Sequence, residues 1–367
     1  MNDPRIQRWA EVLVRYSVAV KPGQSVAIQG GVAAAPLLRA LYRETLKAGG
    51  VPVMLPVLPG TQRDLFELAS DEQLSTINPV ERYFREQADV TIQVMAEQNT
   101  RGLTGIDPSR QGVFSRARTD LFNNFLKREA DGSLNWTLTL YPTDGYAQDA
   151  GLSTDEYTEF VLSACKLNER DPVAAWKQVG AEQQRLTDWL TGKREIHVTG
   201  PDTDLTVGVA GRIWENCDGT KNFPDGEIFT GPVETHTNGH VRFSFPVVTY
   251  GRQIDDIRLT FRDGVVVDAS AASEEEFLIK TLDTDEGARR LGEFAFGTNF
   301  DIQRFTKNIL FDEKIGGTVH MACGSGYPGS GSVNQSSIHW DMICDLRQGG
   351  KVTVDGELFL ENGTYVV

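Results

Sequence analysis

Cysteine is scarce: Cys165, Cys217, Cys323 and Cys344 are scattered through 367 residues, with no Cys-x-x-Cys pair. A closed structural zinc site built from short-spaced thiols is therefore excluded. A disulfide scaffold is not expected in a chain long enough to bury its own core, and sparse thiols fit a reducing cytoplasm. Positive charge is also in deficit. Against 51 Asp and Glu stand 36 Lys and Arg, a formal net charge of −15, whereas nucleic acid and anionic membranes need a cationic face to release counterions. No apolar run reaches the ~18–20 residues that span a bilayer. The first residues carry Asp3, Arg5, Arg8, Glu11 and Arg15 in a helical pattern, not the apolar centre of a secretory signal. Internal repeats and low-complexity tracts are missing as well. What these absences leave is an acidic protein of about two domains, expected in the cytoplasm, with neither nucleic acid nor membrane as partner.

The first half alternates strand and helix signals. Residues 25–29 read as a short apolar strand ending at Gly30-Gly31, residues 36–48 as a helix with Leu37, Leu38, Leu41 and Leu46 largely on one side, and residues 51–57 as the next strand. Strand, helix and strand in about 30 residues make a βαβ unit with parallel pairing. Residues 89–95 and 136–141 repeat the strand signal. Ser153-Thr-Asp-Glu156 has the form of a capping box, and Asp171-Pro172 opens a further helix that Gly192 stops. After Lys193 the rhythm changes to hairpins, 196–199 with 205–209 and 257–261 with 265–268. Helices are expected at 273–282 and 284–294. The reading is an α/β N-terminal domain with a parallel sheet, 1–192, followed by an α+β C-terminal domain with antiparallel strands, 193–367.

Chemistry needs convergent polar groups, and four of the five histidines lie between 236 and 339. In Ser337-Ile-His339-Trp-Asp341-Met, His339 and Asp341 share one face of a strand while Trp340 and Met342 take the other. Imidazole with carboxylate suits Zn, Mn, Co or Fe(II); the same pattern also suits a half-buried strand whose His and Asp simply hydrogen-bond. His320 falls in a strand-like segment that opens into Gly324-Ser-Gly-Tyr327-Pro-Gly-Ser-Gly. That loop contains G-x-G-x-x-G, but Pro328 interrupts it and no helix follows, so it is not a dinucleotide fingerprint. It reads as room for substrate, or as an ordinary turn. Glu227, in a loop fixed by prolines and glycines, should be buried by Ile228 and Phe229. Glu293 is placed at the end of the helix 284–294, entering an apolar patch.

Taken in order, Pro-Asp-Gly-Glu227, Leu-Gly-Glu293-Phe, Asp-Glu313-Lys…His320 and Ile-His339-Trp-Asp341 closely resemble the thermophilic-type metalloaminopeptidases of family M29, the aminopeptidase T group. The resemblance is most specific over the C-terminal half, which it makes the metal-binding catalytic domain. It implies two divalent metal ions (zinc, cobalt, manganese or magnesium) bound by Glu227, Glu293, His320, His339 and Asp341. Tyr327, seven residues after His320, matches an active-site tyrosine, and Glu313 matches an acidic residue before the first histidine. The activity implied is removal of N-terminal residues from short peptides by a metal-activated water, in a cytoplasmic homodimer. Five ligands are too few to fill two octahedral shells, so positions stay open for water and substrate. Two alternatives stand beside it. A mononuclear Fe(II) ring-cleaving dioxygenase or an aromatic aminohydrolase of the same superfamily would use two histidines and one carboxylate; a non-catalytic metalloprotein would hold one inert ion.

Overall fold

The structure is a computed structural model describing residues 3–249 and 252–367. The chain divides into two compact units: one runs up to Val173 and takes in Gly219–Pro224, and the other comprises Ala174–Asp218 and Asp225–Val367. The sequence places its change of rhythm at 192/193, at the end of the helix Pro172–Leu190, whereas the compact units part within that helix's first turn.

In the first unit, strands β1 (Ser25–Gly31), β2 (Val51–Val57), β3 (Val90–Met95) and β4 (Asn135–Leu140) join Asn222–Phe223 in one sheet. The order is β2-β1-β3-β4 with Asn222–Phe223 outermost, and every pairing is parallel. Two helices, α1 (Pro4–Val12) and α2 (Ala35–Lys47), pack on one another. Helix α2 buries Leu37, Leu38 and Leu41 of the stripe the sequence marks out, whereas Leu46, its fourth member, is exposed. The helix also buries Glu44, only 1% exposed. Arg15 and Lys47 reach that carboxylate at 2.6 and 2.8 Å, and Gln7 Nε2 donates to it at 3.0 Å.

Burial alone would raise the pKa of Glu44, but the hydrogen bonds from Lys47 and Arg15 outweigh it and hold the carboxyl below its ordinary range. A depressed folded-state pKa contributes stability that is present above the unfolded value, near 4.5, and lost as pH falls through the folded value. Glu44→Gln should therefore destabilise the protein by about 1–3 kcal/mol at neutral pH. Denaturant titrations of both proteins should show that gap closing as the pH drops below the ordinary carboxylate range. A gap that persists unchanged into acid would remove the carboxylate's charge from the explanation.

The second unit holds two larger sheets. One has eight strands in the order Val265–Ser270, Ile257–Arg262, Thr237–Phe243, Thr203–Gly208, Glu195–Gly200, Lys351–Val354, Glu357–Glu361 and Thr364–Tyr365, paired antiparallel. The other contains β5 (Glu215–Cys217), β6 (Glu227–Thr230), β7 (Leu291–Gly297), β8 (Thr318–Gly324) and β9 (His339–Asp345). Its order is β9-β8-β7-β6-β5, again antiparallel. Both sheets contribute to one apolar core: Ile196, Val198, Leu205 and Leu259 from the first meet Ile228, Phe294, Phe296, Met321 and Met342 from the second. Burying one face of β6–β9 this way turns the alternate residues of the same strands to the other face.

Two expectations are corrected here. Glu293 does not end a helix. After a short 3₁₀ turn at Glu286–Arg289 the chain enters β7, and Glu293 is in the strand. The run Glu-Phe-Ala-Phe-Gly has a period of two, with Phe294 and Phe296 in the core, and that pairing overrides the helical start at Thr284. Glu227, expected in a loop, is the first residue of β6.

Candidate metal centre

The alternation of the second sheet decides which side chains meet. Phe294, Val319, Met321, Trp340 and Met342 lie in the core. Glu227, Glu293, His320, His339 and Asp341 are their out-of-phase neighbours on β6, β7, β8 and β9, so the five project from the opposite face. The registers leave them space. Glu227 stands opposite Gly297, Glu293 and Asp341 opposite Ala322, His320 opposite Ala295, and His339 opposite Gly324. Small partners on one side of each ladder help five polar side chains converge on one face, although His320 also stands opposite Ile343 on β9.

Local devices aim two of the carboxylates. The ladder between β7 and β8 slips at Leu291/Glu293, and a bulge of this kind re-aims the side chain that follows it. Gly292 sits in that irregularity, where a Cβ would lie 2.4 Å from the carbonyl oxygens of Gly324 and Ser325, so the site excludes a larger residue. Ahead of Glu227, Gly226 adopts φ +118°, and a Cβ there would meet Asn299 at 2.6 Å. The Glu227 carbonyl is fixed by Gln183 Nε2 at 3.1 Å, whose amide also reaches the Cys217 carbonyl at 2.9 Å.

At the centre, the Glu293 carboxylate lies between two imidazoles. Its Oε1 is 3.1 Å from His320 Nε2 and its Oε2 is 3.4 Å from His339 Nε2. His320 Nε2 is also 3.4 Å from Glu227 Oε2, and His339 Nε2 is 3.5 Å from Asp341 Oδ1. Two ligand-sized groups result, Glu227 with Glu293 and His320, and Glu293 with His339 and Asp341, sharing Glu293. Both histidines are oriented from behind. His320 Nδ1 donates to the Glu313 carbonyl at 2.9 Å, and His339 Nδ1 to the Ser325 carbonyl at 2.7 Å. A carbonyl only accepts, so each Nδ1 carries its proton and Nε2 is the atom left to bind a cation, the orientation metal-binding histidines use.

The electrostatics agree. Burial disfavours the His320 imidazolium, but the hydrogen bond to Glu293 and the charges of Glu227 and Glu313 raise its pKa to about 9. Burial likewise opposes His339, and Asp341 and Glu293 raise it further still. Burial would raise Glu293, yet the hydrogen bonds from His320 and His339 take it down to about 2. A face that attracts protons this strongly attracts any cation of matching size. Glu227 Oε2 supports a metal directly: it is buried, and it has no hydrogen-bond partner among the described residues. A buried carboxylate oxygen without a hydrogen bond is costly unless a cation, here the His320 imidazolium at 3.4 Å or a bound metal, satisfies it. These imidazole and carboxylate donors fit zinc, cobalt, manganese or magnesium.

Glu313 and Tyr327 also border this face. Glu313 follows the short helix Ile309–Asp312 and forms a third group with His320 and Asp341. Burial pushes its pKa up to about 7, against the lowering effect of Lys314. The Tyr327 ring meets the His339 imidazole edge-on at 5.2 Å and Phe229 at 5.3 Å. Tyr327 is 47% exposed; desolvation at its packed side and the neighbouring charges of Glu293 and Asp341 push its phenol above its ordinary value, so it stays protonated at neutral pH. The glycine-rich segment carrying it is tied down at several points. Asn334 Nδ2 donates to the carbonyls of Gly324 and Gly287, and Glu234, paired with Arg212 at 2.5 Å, accepts from the Val333 N–H. No helix follows this loop.

Sequence reasoning assigned no role to Lys314, fully buried beside Glu227 and Glu313, or to Asp225, 1% exposed. The local sequence gives no signal for it: Lys314 follows Asp312-Glu313, which reads as a solvated charge cluster, and only the fold shows it 0% exposed.

The family described as thermophilic metalloprotease (M29) matches residues 2–365. The chain is similar to Aminopeptidase 2 of Geobacillus stearothermophilus, with 28% identity over 97% of this chain and 95% of that protein. It is similar to Aminopeptidase T of Thermus aquaticus, with 28% identity over 98% and 96%. Among solved structures it is similar to wild-type AmpT from Thermus thermophilus, at a TM-score of 0.86 and 26% identity covering 99% of each chain. The 2,5-dihydroxypyridine dioxygenase of Pseudomonas putida KT2440 shares the fold, at a TM-score of 0.59 and 15% identity over 100% of this chain and 98% of that one.

Proposed function

The chain belongs to the thermophilic metalloprotease family M29 and is a metalloaminopeptidase; from that premise we propose that it trims short peptides with two divalent ions sharing Glu293. The observation that carries the two-ion reading is the Glu293 carboxylate, with one oxygen facing His320 and the other His339. Glu227 and His320 complete one ligand group, His339 and Asp341 the other. Divalent ions held there would polarise the scissile carbonyl and ease deprotonation of the attacking water.

The protein's own groups do the rest. Glu313 accepts the proton of the attacking water and returns it to the leaving amine, because it faces His320 and Asp341 from beside the ligand groups. Tyr327, packed on His339, donates a hydrogen bond to the oxygen that gains charge at the attacked carbon. A single-ion centre of His320, His339 and Asp341 would leave Glu227 Oε2 stranded, so the geometry favours two ions. Among the described residues no helix is long and apolar enough to cross a membrane, and the proposed substrates are free peptides.

Chelator-treated protein should lose hydrolysis of unblocked dipeptides and regain it when zinc, cobalt, manganese or magnesium is returned. N-acetylated versions of the same peptides should stay intact. Undiminished turnover by metal-free protein, or internal cleavage of blocked peptides, would overturn the reading.

A further inference from the structure

Lys314 is 0% exposed. Its ammonium pairs with Glu313 Oε1 and lies 3.7 Å from Glu227 Oε1, and the buried Asp225 carboxyl is also nearby. Its backbone is fixed too: the Lys314 N–H donates to the Phe311 carbonyl at 3.1 Å, and its carbonyl accepts from the Asn299 N–H at 3.0 Å. The two oxygens of Glu227 are thereby divided. Oε1 faces the lysine, while Oε2 faces His320 at 3.4 Å and has no hydrogen bond among the described residues. Glu313 is divided in the same manner, one oxygen committed to Lys314.

We propose that Lys314 is a positioning residue that restricts Glu227 and Glu313 to one working oxygen each. The proposal rests on the two-ion reading and deepens it. A carboxylate free to rotate can grip one ion with both oxygens, raising its coordination number and closing a position that water or substrate needs. An ammonium beside one oxygen removes that option. The ammonium also offsets buried charge, since removing one partner of a buried pair leaves the other uncompensated, but that role alone would not require it to face one oxygen of each carboxylate.

The test uses Lys314→Met, close in length and without charge, and cobalt as the probe. Wild-type and variant proteins are loaded with saturating Co(II), and metal content, visible spectrum, kcat and KM are measured on one preparation. The variant should hold as much cobalt as wild type, with weaker and shifted visible bands, because added carboxylate oxygens raise the coordination number. Its kcat should fall about 10–100-fold with KM little changed, as expected when a group behind the ligands is lost. Unchanged bands and kcat would overturn the proposal, and so would failure to take up cobalt, since the lysine would then support binding itself. If Lys314→Met does not fold, Lys314→Met/Glu313→Gln removes the pair together and is compared with Glu313→Gln by the same spectrum; identical bands overturn the proposal and altered bands support it. Wild-type protein that binds one cobalt or none would count against the two-ion reading instead.

Discussion

Glu293→Gln should cost more than any other single substitution at the centre: metal content and peptide hydrolysis fall together, with kcat/KM down by more than about 100-fold. Replacing a group behind a metal ligand commonly costs 10–100-fold, and Glu293 faces both ligand groups directly, one oxygen toward each imidazole. The amide keeps the shape of the side chain but offers one acceptor oxygen where the carboxylate offers two, and its NH₂ would point at an Nε2 that must receive a cation. The charge that holds both histidines toward the centre is lost as well. Elemental analysis and kinetics on the same sample decide the matter. Two ions retained with full activity would sink the sharing of Glu293, and loss of one ion with partial activity would assign the carboxylate to a single ion.

The fold was legible where period and punctuation agreed. Strand β2 appears at the residues its composition marks, and the Ser153–Glu156 capping box forms as written. The parallel sheet follows from strands separated by a helix that only a crossover can accommodate. The second sheet was legible at β9, where His-Trp-Asp-Met alternates polar and apolar, and misread at β7. There Phe294 and Phe296 do recur every second residue, but Ala295 and Gly297 between them are buried too, so Glu293 is a lone charge without a polar face around it. Burial on every residue of β7 and β8 hides the alternation that normally betrays a strand.

The convergence of the candidate ligands was legible only through motif order, because they come from four strands separated by up to dozens of residues. No local pattern states that His320 will face Glu293, 27 residues upstream. The role of Lys314 was hidden for a related reason. A lysine reads as solvent-exposed until the structure shows that Glu227, from a distant strand, closes over it.

Tyr327→Phe should separate transition-state stabilisation from metal binding. The ring lies against His339 and Phe229, and phenylalanine keeps both contacts while deleting the hydroxyl. A tyrosine phenol titrates near 10 and this one is shifted upward, so at neutral pH it carries its proton and can donate to an oxygen that gains charge during attack. Donors aimed at such an oxygen are worth roughly 10²–10³ in turnover. The variant should therefore lose kcat by about that factor, bind substrate with nearly the same KM and hold the wild-type amount of metal. Normal turnover would reduce Tyr327 to a packing residue for His339. Loss of metal would make it a support for the histidine's position, a different role that the same preparation distinguishes. The clamp at Asn334 and Glu234 gives a further reason to expect the kcat effect: a segment tied at both ends holds its tyrosine in one place before substrate arrives, and a donor already in place needs no reorganisation as the charge develops.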